Sequence, residues 1–407
     1  MGLAAVFANS IMVEYTMTAS AKERGWLSCG TQMAAVTKVL IVGGGIAGMT
    51  LAIGLKRAGI YAEIIEINPQ WSVLGVGISL QAPALRAFKM IDLLDQCMEI
   101  GFGYSQFSSC DAEGNVTATV QMPRLNGPDY PSAMGVMRQA LHLLLKEVVA
   151  DAQVPVRLGV TATSFDQDDN GIDVEFNDGV RGRYDLIVGA DGVNSKIRDI
   201  LFGTECRPNY TGQAVWRASV NRPSEVQGRC SYFGPRNKAG FNPVSQKQMY
   251  IYLVQNLPQF VRIADSRLPE VMREQLADFG GVIGSVRDTI TDPNEIVYRP
   301  VVSNLLSAPW YRGRAIVIGD AAHTATPHMA AGAGLAIEDS IVLAELLQSA
   351  PSVAQALESF MKRRFERCRL VVENSLMLGE WEKVPNLPGA DPAGVLDRSL
   401  KALAQPF

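Results

Sequence analysis

Histidine is scarce in this chain of 407 residues, which holds only His142, His323 and His328. Three scattered imidazoles fall short of a ligand cluster, so no metal is expected. The six cysteines, Cys29, Cys97, Cys110, Cys206, Cys230 and Cys368, include no C-x-x-C pair. Their spacing fits buried thiols in a reducing, cytoplasmic setting better than a disulfide framework. Charge is sparse as well: 19% of residues are charged, and the formal net charge is −4. Such a balance offers no basic surface for nucleic acid or anionic lipid, and neither partner is expected. The stretch 39–55 carries no charge, but five of its seventeen residues are glycine. It falls short of the ~20 apolar residues that a membrane span needs. No internal repeat or low-complexity segment occurs. The first residues show no basic region and no cleavage site behind a proper apolar core, which argues against a secretory signal.

What is abundant is apolar: hydrophobic residues make up 47% of the chain. That composition supports a large core, and the length exceeds one ordinary core, so two domains plus an extension are expected. Lys38 to Val42 is a β-branched run of strand length that feeds into Gly43-Gly44-Gly45-Ile46-Ala47-Gly48. Ala47, Leu51 and Leu55 then recur at helical spacing before Gly59, placing the glycines in a strand-to-helix turn. There Gly43 permits the tight turn, Gly45 lets a pyrophosphate approach the backbone, and Gly48 lets the helix pack closely. Free N–H groups at the helix start favour the phosphates. A second strand, Tyr61 to Ile67, carries Glu66 near its end, where a carboxylate accepts ribose hydroxyls of an adenine dinucleotide. A glycine turn without a ligand is the plainer alternative.

Two further blocks follow. Ile172, Val174 and Phe176 alternate with acidic residues up to a turn at Asn177-Asp178-Gly179. The next strand, Tyr184 to Val188, then ends in Gly189-Ala190-Asp191-Gly192 with Ser195 and Arg198 beyond it. Later, the buried strand Arg314 to Ile318 runs into Gly319-Asp320-Ala321-Ala322-His323. A stretch of small residues, with Pro327, His328, Gly332, Gly334 and Leu335, leads from there into a helix carrying Glu338 and Asp339.

In this order the three blocks resemble the fingerprint of the single-component FAD-dependent aromatic hydroxylases, the para-hydroxybenzoate hydroxylase and salicylate hydroxylase type, over roughly residues 36–370. The resemblance implies an α/β fold: a Rossmann-like FAD-binding domain with an inserted mixed β-sheet substrate domain and a C-terminal helical extension. It also implies an FAD-dependent monooxygenase in which NADPH or NADH reduces FAD. Molecular oxygen then forms a C4a-hydroperoxide that hydroxylates an electron-rich aromatic or heteroaromatic ring. Only one dinucleotide fingerprint is present, so the nicotinamide cofactor binds without a second Rossmann motif. Asp191 is expected near the pyrophosphate and Asp320 at the ribityl chain. Arg138, in an amphipathic helix read over residues 136–149, is expected at the phosphates or ribityl chain, with a plain surface arginine as the alternative. A helix starting near Gly334 directs N–H groups at the flavin N1 and C2 carbonyl.

The expected division is a leader over 1–35, an FAD-binding domain over 36–80, 133–206 and 299–345, a substrate domain over 81–132 and 207–298, and a helical region over 346–407. Met33 stands just before the first strand, and residues 1–32 are expected to be dispensable. Residues 102–122 read as a hairpin turning at Asp111 to Asn115. In the strand Met249 to Val254, Tyr250 and Tyr252 project from one face. They are candidates to hold and ionise a substrate hydroxyl, although sheet packing explains such a pair equally well. His328 departs from the commonest family form and resembles hydroxylases of hydroxylated pyridine carboxylates. Its alternative is an interior histidine bonded to backbone. Rival functions are an oxidase or halogenase of the same fold and a non-enzymatic flavin module. The Trp-x-Trp-x-Ile block of halogenases does not occur. Monomer and homodimer both remain open.

Overall fold

The computed structural model describes residues 36–73, 75–384 and 387–407. The expected leader, with Cys29 and Met33, and Pro385 lie outside the described residues.

The apolar run Lys38–Val42 forms the middle of a six-stranded sheet. It pairs in parallel with Tyr61–Glu66 on one side and with Leu186–Gly189 on the other. Val156–Leu158 adds beyond the first, and Ala315–Val317 and then Tyr311–Arg312 beyond the second. Leu40, Ile41, Ile64, Ile187 and Ile316 are fully buried, because helices and a small antiparallel sheet of Ala162–Asp168, Gly171–Phe176 and Arg181–Tyr184 pack on this mostly parallel sheet. The helix Ile46–Arg57 buries Met49, Leu51 and Leu55 completely, each worth ~1.5–3 kcal/mol of transfer energy. It packs on the helix Gly332–Ser349 so closely that a Cβ on Gly54 would stand 3.0 Å from the Ala344 Cβ.

An eight-stranded sheet forms the second layer. Its order is His323–Thr324, Ile296–Leu305, Asn209–Asn221, Gln248–Asn256, Lys238–Pro243, Arg229–Phe233, Gln106–Cys110 and Val116–Gln121. One face, with Trp216, Ile251, Leu253 and Phe241, buries itself under the helices Leu268–Gln275 and Gly281–Val286. The other turns toward a small antiparallel sheet of Gly77–Gln81, Ala133–Met137 and Gly101–Tyr104. A Cβ on Gly77 would stand 2.2 Å from the Tyr250 ring, and one on Gly135 would stand 2.0 Å from the Pro243 carbonyl oxygen. Only glycine lets the two sheets meet this closely. The helices Val353–Lys383 and Pro392–Ala404 complete the chain.

Several boundaries differ from the sequence expectations. Val136 and Met137 belong to a strand, and the helix starts at Arg138. A short apolar run suits either state until its partners, here strands 77–81 and 101–104, decide. Leu85, Phe88 and Leu94 pack into the dinucleotide-type core. Ile296–Leu305 runs through the expected boundary at 298. Pro392 opens a helix at a position where its missing N–H costs nothing. None of the described helices is long and apolar enough to cross a membrane.

Candidate functional site

The three glycine blocks, far apart in sequence, meet at the carboxyl ends of the central strands. Gly43 has φ +109°, and a Cβ there would stand 2.5 Å from the Ala190 carbonyl oxygen, which joins the first block to the second. A Cβ on Gly319 would stand 3.5 Å from the Ala47 Cβ, joining the third block to the first. Gly48 sits where a side chain would strike the Gly43 carbonyl oxygen at 1.9 Å. Gly45 differs from all of these, because a Cβ there would meet nothing within 4 Å. Its backbone, beside the half-buried Ile46 at the helix start, borders open space. This is the gap a pyrophosphate needs.

The carboxylates around this gap are arranged in three different ways. Glu66 bridges the glycine turn, accepting from Gly44 N and Asn68 N, both at 2.8 Å. Asp191 is committed to the next helix: it accepts from Ser195 Oγ at 2.5 Å, Lys196 N at 2.7 Å and Ile197 N at 3.2 Å. Burial raises its pKa against those bonds. Asp320 is exposed to solvent although enough protein surrounds it for burial to raise its pKa, with His323 and Arg138 acting in the opposite sense. Arg138 is likewise exposed but closely surrounded, and burial lowers its pKa while Asp320 supports its charge. Charged groups that are both wet and enclosed line an open cleft rather than the outer surface. The cleft, with open space at Gly45, Asp320 and Arg138 facing into it and two helix N-termini beside it, fits an adenine dinucleotide carrying a flavin.

The third block is held from behind. Asp339, on the helix Gly332–Ser349, accepts from Gly319 N at 3.0 Å, His323 Nε2 at 2.6 Å and Arg364 Nε at 2.7 Å. Arg364 also bonds Glu338 at 2.8 Å. Burial works against these charges. Even so, His323 and Arg364 pull Asp339 down to about 2, and Cys368 and Asp339 hold His323 well above its ordinary value. His323, Asp339 and Cys368 bring ligand atoms within 4.8 Å of one another. The guanidinium already seated on the same carboxylate would repel a cation, so the group is an ion network rather than a metal centre. Pro327 opens a short 3-10 helix, Pro327–Met329, Ala330 takes a left-handed turn at φ +51°, and the long helix begins at Gly332, two residues before the expected Gly334. Leu335 is buried, and Gly334 lies against Ala84.

Trp71 was not foreseen. Its indole donates to the Gly44 carbonyl at 2.9 Å, its own carbonyl meets His142 Nε2 at 2.9 Å, and Lys146 sits over its ring. It covers the glycine turn from the side. An aromatic soon after Asn68-Pro69 was the only trace of it in the sequence.

Tyr250 and Tyr252 share a face, as expected, with ring centroids 6.3 Å apart. Cross-strand pairing extends this face: Val297, Arg217, Tyr252, Gly240, Ser231 and Ser109 stand in one row, and directly paired residues point the same way. The Tyr252 hydroxyl meets Ser231 Oγ at 2.5 Å and the Tyr250 hydroxyl meets Asn242 Nδ2 at 3.3 Å. Tyr104, raised to about 12 by burial, bonds Ser79 at 2.9 Å. Arg229 lies against Tyr252, Tyr104 and Tyr250, which sustain its charge against burial. His328 is buried, with Nδ1 2.8 Å from Thr326 Oγ1 and Nε2 3.3 Å from Glu382 Oε2. It therefore faces the C-terminal helix and side-chain partners, not the backbone.

A protein-family model described as an FAD binding domain matches residues 36–375. The 2-heptyl-3-hydroxy-4(1H)-quinolone synthase of Pseudomonas aeruginosa (strain PAO1) is 30% identical over 353 residues, covering 84% of this chain and 90% of that protein. The 6-hydroxynicotinate 3-monooxygenase of Bordetella bronchiseptica is 28% identical over 346 residues, covering 82% of this chain and 89% of that protein. The crystal structure of Klebsiella pneumoniae HpxO with FAD and uric acid superposes with a TM-score of 0.78 at 21% identity, over 90% of this chain and 92% of that one.

Proposed function

The chain belongs to the FAD binding domain family and is an FAD-dependent monooxygenase that uses NAD(P)H, and from that premise we propose that its substrate is a small heteroaromatic ring carried as an anion. The observation that supports this most is the charge of the sheet face. Arg217 and Arg229 stand beside the two phenols, and among the described residues neither has a carboxylate within ion-pair distance. Buried or half-buried cations without a counter-charge are costly unless a ligand supplies one. A carboxylate or an ionised ring hydroxyl supplies it. The compounds in the names of two relatives, a hydroxyquinolone as product and 6-hydroxynicotinate as substrate, agree with a heteroaromatic ring.

When bound, FAD supplies the reduction of molecular oxygen and the transfer of one of its atoms to the ring, the other leaving as water. The protein's part is positioning and proton control. Gly45 and the start of the helix Ile46–Arg57 receive the phosphates, Glu66 the ribose, and Asp320 with Arg138 the chain leading to the flavin. Asp191 supports the pyrophosphate site by shaping the turn that it caps. Arg217 and Arg229 orient the anion, and the sheet face with Val76, Met137 and Val244 excludes water. Tyr252 and Tyr250 hold the ring hydroxyl, and withdrawing its proton makes the neighbouring carbon more nucleophilic.

Tyr252→Phe removes the hydroxyl bonded to Ser231 and leaves the packing in place. The expected result is NAD(P)H consumption that continues while hydroxylated product falls ~10²-fold, hydrogen peroxide taking its place. Measuring product and peroxide per NAD(P)H consumed tests this. Unchanged coupling would reduce Tyr252 to a packing residue.

A further inference from the structure

The helix Val353–Lys383 ends against the ring-facing wall, and its last turn carries a carboxylate that neither cofactor binding nor the phenols use. Glu382 Oε1 accepts from Lys238 Nζ at 2.6 Å, and Oε2 lies 3.3 Å from His328 Nε2. Lys238 stands on the same face as Tyr252: it pairs with Val254, and Gly240, two residues on, pairs with Tyr252. The Cβ that Gly240 lacks would stand 2.4 Å from the Tyr252 hydroxyl, so the lysine lies diagonally across from the phenol on the neighbouring strand, with only a glycine opposite the ring.

The junction is tight and polar. A Cβ on Gly379, one turn before Glu382, would stand 2.8 Å from His328 Cε1 and 3.0 Å from Gln213 Oε1. His328 Nε2, Glu382 Oε2 and Gln213 Oε1 are all buried without a well-formed hydrogen bond, the 3.3 Å approach of the first two being poorly aligned. Each such atom costs free energy. A fold retains three of them together where another requirement outweighs that cost. Burial works against the Glu382 charge, yet Lys238 and His328 hold the group down to about 2, so it is a carboxylate at every working pH.

Four cations, Arg138, Arg217, Arg229 and Lys238, surround the proposed ring site, and Glu382 is the carboxylate paired with one of them. We propose that Glu382 sets the charge pattern of this site: it neutralises Lys238 and orients His328, leaving Arg217 and Arg229 to receive the anionic ring. Glu382 is a positioning residue, and it makes the C-terminal helix part of the pocket wall. The inference rests on the anionic-ring reading, but one arm of its test does not depend on any ring.

That arm uses the imidazole nitrogens of the three histidines in the FAD-loaded full-length protein. In Glu382→Gln, the ¹⁵N resonances of His328 shift while those of His142 and His323 stay. An unmoved His328 overturns the orienting role. The second arm titrates 6-hydroxynicotinate and its uncharged methyl ester into the parent and two variants, read by the flavin absorbance change. Glu382→Gln frees a lysine charge and tightens the anion about fivefold; Lys238→Gln strands a carboxylate and weakens it by a similar factor. The ester is indifferent to both changes. Opposite signs for the anion with a constant ester support the proposal. Changes of the same sign, or an ester that moves with the anion, reveal a packing role and overturn it. If neither probe binds the parent, the anionic-ring reading fails and the histidine spectra alone decide whether Glu382 orients His328.

Discussion

Gly45→Val is expected to give a folded, colourless protein. The backbone at Gly45 has φ −83° and ψ −170°, an extended conformation that valine adopts freely. No protein atom lies within 4 Å of the added Cβ. The apo fold therefore tolerates the change, with a stability shift of at most ~1 kcal/mol. The branched side chain instead fills the space beside the helix N-terminus that the phosphates require. A loss of FAD affinity of ~10³-fold or more, about 4 kcal/mol, is the expected result. The neighbouring glycines do not offer this separation. At Gly43 a side chain would meet positive φ and the Ala190 carbonyl, and at Gly48 it would meet the Gly43 carbonyl at 1.9 Å. Either change would disturb the fold and the cofactor together. The check is flavin absorbance after gel filtration, alongside a thermal melt. A Gly45→Val protein that keeps its flavin would remove the phosphate site from this turn.

Asp339→Ala should be the most destabilising single change in the cofactor half. It deprives Gly319 N of its acceptor, strips the counter-charge from His323 and leaves Arg364 with Glu338 alone, all fully enclosed. Breaking a buried pair by removing one partner costs ~3–5 kcal/mol. Asp339→Asn keeps the shape and an acceptor and should lose less. Because Gly319 precedes Asp320, the turn that presents Asp320 to the cleft loosens, and flavin is retained less tightly at temperatures where the fold survives. The pH dependence follows from the direction of the shift. With its pKa depressed to about 2, Asp339 contributes stability that is fully present above the unfolded carboxylate value near ~4 and is lost as pH falls toward 2. Melts of parent and Asp339→Asn between pH 2 and 7 should converge at the acid end. A constant gap across that range would count against the ion network.

The elements that build the cleft could be read because their signals are local. Lys38 to Val42 alternates with nothing and is buried on both faces, the glycines follow at once, and the helix period begins at Ala47. The shared face of Tyr250 and Tyr252 follows from strand periodicity alone. Residues whose partners are remote were less legible. Asp191 is expected near the pyrophosphate because its block resembles the family's, and what the block did not reveal is that its carboxylate also binds the nearby start of the helix Lys196–Phe202. Only the position of Ser195 four residues on hinted at that bond. Asp339 was noted merely as an acidic helix residue, and its partner Arg364 lies on another helix. Glu382 reaches Lys238 across 144 positions, a pairing that no spacing rule anticipates. Periodicity reports which face a residue shares with its neighbours, not what a distant segment brings to that face.

The central claim is that a ring anion binds beside the flavin and receives one oxygen atom. The most direct test is turnover of the FAD-loaded protein under ¹⁸O₂ with a panel of hydroxylated pyridine and quinolone acids, following NAD(P)H oxidation and the isotope in the product. The account predicts that one member of the panel accelerates NAD(P)H oxidation and emerges with a single ¹⁸O per NAD(P)H consumed. Acceleration that yields only hydrogen peroxide, or a product whose new oxygen comes from water, would contradict it.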